Sequence, residues 1–282
     1  MAQILSGREV AASMQQQQLL RVAQLQARSV VPCLGILRVG SRSDDLSYER
    51  GVEKKATALG IVVKKYLLPE NADTEAVLAA IDACNADRSV HGLLLLQPLP
   101  QHINGGRVRN ALTLKKDADG VTDASLSGLF LGDSTVFSPC TAEACLTMLD
   151  HYGIDCAGKH VVIIGRSMVV GKPLAMLLLA RNATVTVCHS KTENLAALCQ
   201  SADILIAAVG RARMVTERFV RPGQIVLDVG INFSPTSEMT GDVAFDSVSP
   251  VVSAITPVPG GIGAVTTSVL LEHVLKAAEQ AE

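Results

Sequence analysis

The stretch His160–Pro173, HVVIIGRSMVVGKP, constrains this chain more than any other. Four apolar, β-branched residues (Val161–Ile164) run into Gly165. Gly171 follows six positions later, and a long apolar helical pattern begins there. A buried parallel strand that turns sharply into a helix reads this way. Such a turn aims backbone N–H groups and a helix N-terminus at one point, which suits a phosphate. The spacing is G-x5-G rather than G-x-G-x-x-G, so the dinucleotide pattern is half met. On this stretch alone, a phosphate cradle and an ordinary strand-to-helix turn stand level.

The flanking chain supplies a parallel α/β architecture. Helical periodicity covers 7–28 through Val10, Met14, Leu19 and Leu20. A strand is expected over 31–39, then a helix over 46–59 with Gly60 as its C-cap. A strand over 61–67, a helix over 75–85 and a short buried strand over 92–96 follow. Two successive strand–helix–strand units argue for a parallel sheet with helices on its faces. Ligands then bind beyond the carboxyl ends of the strands, here Gly40 to Tyr48, Gln97 to Pro100, and the acidic loop Lys116–Gly120. From spacing alone, Asp117 and Asp119 read first as a solvated turn, and Tyr48 equally as surface packing or as a ligand contact. After a helix from Ser138 to about Tyr152, a helix over 174–180 and strands over 184–188, 202–209 and 224–229 give the alternation of a doubly wound nucleotide domain.

Composition narrows the function classes. The 282 residues allow two domains. A formal net charge of -2 gives no general reason to bind nucleic acid or an anionic membrane. Aromatics at 3%, with no Trp, disfavour base-stacking platforms. The seven cysteines are scattered singly without zinc-ligand spacing, so no metal site is expected and the thiols read as reduced. The N-terminus lacks a signal-peptide pattern and no apolar run approaches the roughly 18 residues of a membrane span. The expectation is a soluble, cytoplasmic protein.

The end of the strand 184–188 discriminates between cofactors. An NAD fold places an Asp or Glu about 20 residues after the glycine turn, on the ribose 2′-hydroxyl. Here Cys188-His189-Ser190-Lys191-Thr192 holds no acid, and Arg166 lies in the glycine turn itself. A cation and hydroxyls in place of a carboxylate suit a 2′-phosphate, which favours NADP. The plainer alternative makes Ser190 a helix cap and Arg166 a solvated charge.

Six motifs in order, KDADG (116–120), SPCT (138–141), VVIIGRSMVVGKP (161–173), VTVCHSKT (185–192), VLDVGIN (226–232) and ITPVPGGIG (255–263), resemble those of the tetrahydrofolate dehydrogenase/cyclohydrolase family over nearly the whole length. The resemblance implies oxidation of 5,10-methylenetetrahydrofolate to the methenyl form with a nicotinamide cofactor, in one-carbon metabolism, and in most members hydrolysis to 10-formyltetrahydrofolate. It implies an α/β fold of two domains: a parallel-sheet folate domain, 1–138 plus 267–282, and a doubly wound Rossmann-type NADP domain, 139–266. The C-terminal helix is expected to return to the first domain, and the partner to be a second copy of the chain.

Carried over by position, Tyr48 matches the tyrosine that packs on the folate and Asp119 the aspartate that hydrogen-bonds the pterin. Gln97 is assigned to the folate site, and Pro259, Gly260 and Gly261 resemble the loop that closes on the substrate. The cofactor is assigned to Gly165, Arg166, Ser167, Val170, Gly171, Pro173, His189, Ser190, Gly210, Gly230, Ile231 and Asn232.

The chain departs from the family at the proton-transfer group. The family lysine four residues after the tyrosine is Val52 here, which carries no proton. Lys54 aligns with a second family lysine, and Lys55 returns to the face of Tyr48 about 10 Å along the helix. The family glutamine that partners the lysine falls on Leu96, with Gln97 turned to the opposite side if the strand persists. Asp45 stands where a small hydroxyl residue is usual. Hydride transfer depends less on a general acid/base than hydrolysis does, where one contributes about 10²–10⁴-fold. The dehydrogenase is therefore expected to remain and the cyclohydrolase to be weak. The alternatives are a bifunctional enzyme in which Lys54, Lys55 or Arg50 substitutes, and a folate- or nucleotide-binding protein without turnover.

Overall fold

The computed structural model describes residues 2–233 and 239–281. Its elements in chain order are β1 (Gln3–Ile4), α1 (Gly7–Ala27), β2 (Cys33–Val39), α2 (Ser43–Leu59), β3 (Val62–Leu68), α3 (Thr74–Ala86), β4 (Gly92–Leu95), α4 (Gly105–Ala111), α5 (Asp123–Leu131) and α6 (Cys140–His151). There follow β5 (His160–Ile164), α7 (Gly171–Ala180), β6 (Thr184–Cys188), α8 (Leu195–Ser201), β7 (Ile204–Ala207), β8 (Ile225–Asp228), β9 (Asn232–Phe233), β10 (Met239–Thr240), α9 (Phe245–Val248), β11 (Ala254–Ile255) and α10 (Ile262–Gln280). No helix among the described residues is long and apolar enough to cross a membrane.

The chain divides into two units. One holds Ser13–Cys140 with the residues from Thr267 on; the other holds the residues up to Ala12 with Thr141–Thr266. The first is built on a parallel three-stranded sheet, β3-β2-β4. Its centre, β2, is buried along its whole length, as its unbroken apolar run requires, whereas the edge strand β3 alternates and carries Lys64 and Lys65. Leu37, Val39, Val77, Ile81, Leu93 and Leu95 form its core. The one charge on β2, Arg38, is buried and paired by Nε to Glu49 Oε2 of α2 at 2.7 Å. This pair ties α2, the helix that carries Tyr48, to the sheet. Asp44 and Asp45 lie in the first turn of α2, where the helix dipole favours acid, and Gly60 closes it with φ +81°.

The second unit contains a six-stranded parallel sheet in the order β1-β11-β8-β7-β5-β6. Read from β6 this is a 2-1-3-4-5 winding with one added edge strand, so the expected doubly wound domain is present in its flavodoxin-like order. Residues 2–12 are a correction to the expected boundaries. They belong here because β1 pairs with β11, Gln3 opposite Ala254 and Ile4 opposite Ile255. Two residues of strand carry no periodicity, so the sequence gives no sign of this pairing. The apolar runs of β5, β7 and β8 are buried between helices, which is why they read as continuous rather than alternating.

Candidate active site

In the second unit the strand order reverses between β5 and β7, and a crevice opens beyond their carboxyl ends. Gly165 ends β5 with φ +128°, and a Cβ there would stand 2.2 Å from the Ala208 carbonyl oxygen. A Cβ on Gly171 would stand 2.1 Å from the Gly165 carbonyl oxygen. Both glycines are thus required for space, and the turn doubles back tightly into α7. The result is a cleft of about 470 Å³ whose lining includes the expected Gly165, Arg166, Ser167, His189 and Ser190. Thr192, the second hydroxyl of the expected segment, also lines it, as do Ala208, Val209 and Arg211, which the sequence does not single out. Val170, Gly171 and Pro173 shape the turn without lining the cleft, and neither do Gly210, Gly230, Ile231 or Asn232.

Gly210, Gly230 and Asn232 are held by two buried aspartates. Asp242 accepts the backbone N–H groups of Val209, Gly210 and Arg211 at 2.6, 3.0 and 2.8 Å, and Asn232 Nδ2–H at 3.0 Å. Asp228, at the end of β8, accepts the N–H groups of Gly230, Asp242 and Val243. Burial pushes the Asp228 carboxyl up to about 6; the three N–H groups oppose this and Asp242 adds to it. The lip of the crevice after β7 is therefore fixed from β8 and from the chain that follows β10.

The cleft fits a nucleotide phosphate. Two cations, Arg166 and Arg211, and three hydroxyls, Ser167, Ser190 and Thr192, line it, and no carboxylate does among the described residues. Thr192 Oγ1 accepts the His189 N–H at 2.8 Å and His189 Nδ1 accepts the Lys191 N–H at 3.2 Å, so the turn after β6 is built by its own side chains. Ser190 is exposed and is not the cap of α8, whose N-cap position is Asn194. This removes half of the plainer reading.

In the first unit the acidic loop separates into two roles. Asp117 is buried and accepts the N–H groups of Val121 and Thr122 and the Ser125 hydroxyl at 3.0, 2.8 and 2.6 Å. It builds the turn from a buried position, which corrects the expectation of a solvated one. Lys116 Nζ clamps the carbonyls of Cys84, Asn85 and Asp87. Asp119 is different. Withdrawal from water pushes its carboxyl up to about 6, reinforced by Asp117 and opposed by a hydrogen bond from Cys140 and by His273. Gly120, with φ +66°, presses against Ser138 and Pro139, where a Cβ would stand 2.4 Å from the Ser138 carbonyl carbon. This brings the KDADG and SPCT motifs together.

Tyr48 faces the same place. The residue as a whole is 39% exposed, but its hydroxyl end is withdrawn from water, which holds the phenol well above its usual range. Asp119 and then Cys140 add to that rise, and a hydrogen bond with Thr267 opposes it. Tyr48, Asp119, Cys140, Thr267 and His273 form one cluster. The last three were not singled out beforehand: Thr267 and His273 sit in an apolar helical pattern that gives no signal, and Cys140 appears only inside a motif.

Val52 is fully buried on α2, on the face that also buries Asp45, Glu49, Ala56 and Leu59. Lys54 is exposed; six residues from Tyr48, it points about 120° away from it around the helix. Lys55 is half-buried, and burial lowers its ammonium pKa. β4 ends at Leu95, so the strand does not persist to Gln97; Leu96 is buried and Gln97 is exposed. Asp45 is buried against Arg42, with bonds of 2.9 and 2.7 Å, and serves the first turn of α2. Pro259, Gly260 and Gly261 lie in the other unit, where the Gly7 N–H donates to the Gly260 carbonyl at 2.8 Å and Gly260 has φ +101°. No cluster of metal-binding side chains occurs among the described residues.

The chain matches the domain described as tetrahydrofolate dehydrogenase/cyclohydrolase, NAD(P)-binding, over residues 139–282 and the catalytic domain of the same description over residues 5–119. It is 48% identical over 281 residues to the bifunctional protein FolD of Carboxydothermus hydrogenoformans, covering 99% of this chain and 98% of that one. The crystal structure of the FolD methylenetetrahydrofolate dehydrogenase/cyclohydrolase of Campylobacter jejuni superposes with a TM-score of 0.97 at 37% identity, covering 99% of each chain. The Trypanosoma brucei enzyme complexed with NADP and an inhibitor superposes at 0.94 and 33% identity, covering 99% of this chain and 98% of that one.

Proposed function

Because this chain belongs to the tetrahydrofolate dehydrogenase/cyclohydrolase family, we propose that it oxidises 5,10-methylenetetrahydrofolate with NADP and hydrolyses the methenyl product poorly. What a bound nicotinamide dinucleotide supplies is a hydride acceptor. Gly165, Gly171 and the turn into α7 would hold its phosphates, and Arg166, Arg211, Ser190 and Thr192 its 2′-phosphate. Tyr48 offers an aromatic face and a neutral hydroxyl to the folate, and Asp119 a carboxyl that is part protonated near pH 6. These groups bind and orient, and hydride transfer draws much of its rate from orientation.

The observation that carries the second half of the proposal is the burial of Val52. A fully buried valine occupies the helix position where a proton-transfer group is needed, and Lys54 points elsewhere. The test is to assay the two half-reactions separately. Wild-type protein is expected to form NADPH from methylenetetrahydrofolate and to hydrolyse supplied methenyltetrahydrofolate near the buffer-catalysed rate, with Val52→Lys raising the hydrolysis. Hydrolysis well above that rate, or equal in wild type and Val52→Lys, overturns it. One observation favours a bifunctional reading: Lys55 is on the Tyr48 side of α2 and its pKa is lowered. If hydrolysis is fast and lost in Lys55→Ala, Lys55 is the substitute base. We further propose a cytoplasmic homodimer, checked by light scattering.

A further inference from the structure

The carbonyl of Ala118, the residue before Asp119, is held by two side chains remote in sequence. His273 Nδ1 of α10 lies 2.8 Å from this oxygen, and Cys140 Sγ at the start of α6 donates to it at 3.3 Å. A carbonyl only accepts, so Nδ1 carries hydrogen. The imidazole is 1% exposed and stacks on Phe137, with centroids 4.7 Å apart and an interplanar angle of 25°, so the ring cannot swing away without losing that contact. Backbone packing closes the arrangement: a Cβ on Gly92 of β4 would stand 2.7 Å from Ala118 Cβ and 3.1 Å from Val274 Cγ2, the residue after His273. On the other side, Asp117 is fixed by its three donors. Asp119 therefore leaves a peptide determined from both ends, with its carboxyl facing Tyr48 of α2, Cys140 of α6, Asp117 of its own loop and His273 of α10.

We propose that His273 is a positioning residue, whose Nδ1–H bond to the Ala118 carbonyl sets the place of the Asp119 carboxyl in the folate site. The proposal rests on the reading of Asp119 as a folate ligand. It names one ring nitrogen, and this makes it testable with side chains of like polarity. Asn puts an amide donor near the position of Nδ1, and Gln puts one near Nε2. His273→Asn keeps the bond; His273→Gln does not.

The experiment measures tetrahydrofolate binding by calorimetry, the KM values for methylenetetrahydrofolate and NADP, and the pH profile of kcat/KM for wild type, His273→Asn, His273→Gln and Asp119→Asn. His273→Gln is expected to weaken tetrahydrofolate binding and raise the folate KM about tenfold, the effect of one lost buried hydrogen bond, to shift the acid limb of the profile, and to leave the NADP KM unchanged. His273→Asn is expected to stay within about threefold of wild type, because the bond is retained. Equal behaviour of the two variants, or a loss that falls equally on folate and NADP, overturns the proposal. If Asp119→Asn binds tetrahydrofolate as wild type does, the folate role of Asp119 fails and this proposal with it. If Asp119→Asn loses binding and His273→Gln does not, only the positioning role fails.

Discussion

The Asp242 carboxylate receives the Val209 N–H at 2.6 Å, the shortest of three successive backbone bonds that fix the lip of the dinucleotide crevice. Its own place is set by Asp228, which accepts the Asp242 N–H at 2.9 Å. Replacing Asp242 by Ala leaves several donors without their acceptor in a buried region, each costing about 1–3 kcal/mol where water does not reach it. Asp242→Ala is expected to lower the unfolding free energy by about 3 kcal/mol and to raise the NADP KM more than the folate KM. Denaturant unfolding and steady-state kinetics check this; an unchanged NADP KM in a folded variant contradicts it.

Cofactor choice depends on Arg166 and Ser190. Arg166→Ala with Ser190→Ala is expected to reduce NADP efficiency by about 10²-fold, two charge-assisted bonds at about 1.5 kcal/mol each, while NAD efficiency changes little. The ratio of kcat/KM values for the two cofactors reads the effect. A wild-type preference for NAD refutes the assignment outright.

Asp119 gives a pH signature to stability. Its folded pKa, about 6, lies above the ordinary 3.8, so ionisation is disfavoured in the folded state. The stability it permits is full below about pH 4 and declines as pH rises through about 6. Asp119→Asn cannot ionise. The unfolding free energy of wild type minus that of the variant is therefore expected to fall between pH 4 and 7, by at most about 3 kcal/mol. A difference that is flat over this range, measured by urea denaturation, excludes the raised value.

Glu49 is the partner of a buried charge. With Glu49→Ala, Arg38 keeps its guanidinium under the sheet without the carboxylate 2.7 Å away, and Lys65 loses its 3.0 Å contact. Breaking a buried pair on one side costs about 3–5 kcal/mol. Thermal unfolding should show the loss. Because α2 is attached to the sheet through this pair, the folate KM should rise as well. A Tm within about 2 °C of wild type would show that the pair is solvated.

The sequence by itself determined what depends on local pattern. The unbroken β-branched runs specified buried parallel strands, Gly60 a helix end, and Gly165 and Gly171 a sharp strand-to-helix turn. The lack of an acid between Cys188 and Thr192 specified the electrostatics of the crevice, and valine at 52 removed a proton carrier. Spacing did not separate the two neighbouring aspartates and only the resemblance chose Asp119; tertiary structure gave the physical reason, because Asp117 and Asp119 differ in what α5, α6 and α10 bring to them. It alone placed residues 2–12 in the other unit, through a two-residue strand with no period to detect. And it alone joined His273 to Ala118, residues 155 apart. A helical histidine in an apolar pattern looks like any core residue until the carbonyl it meets is known.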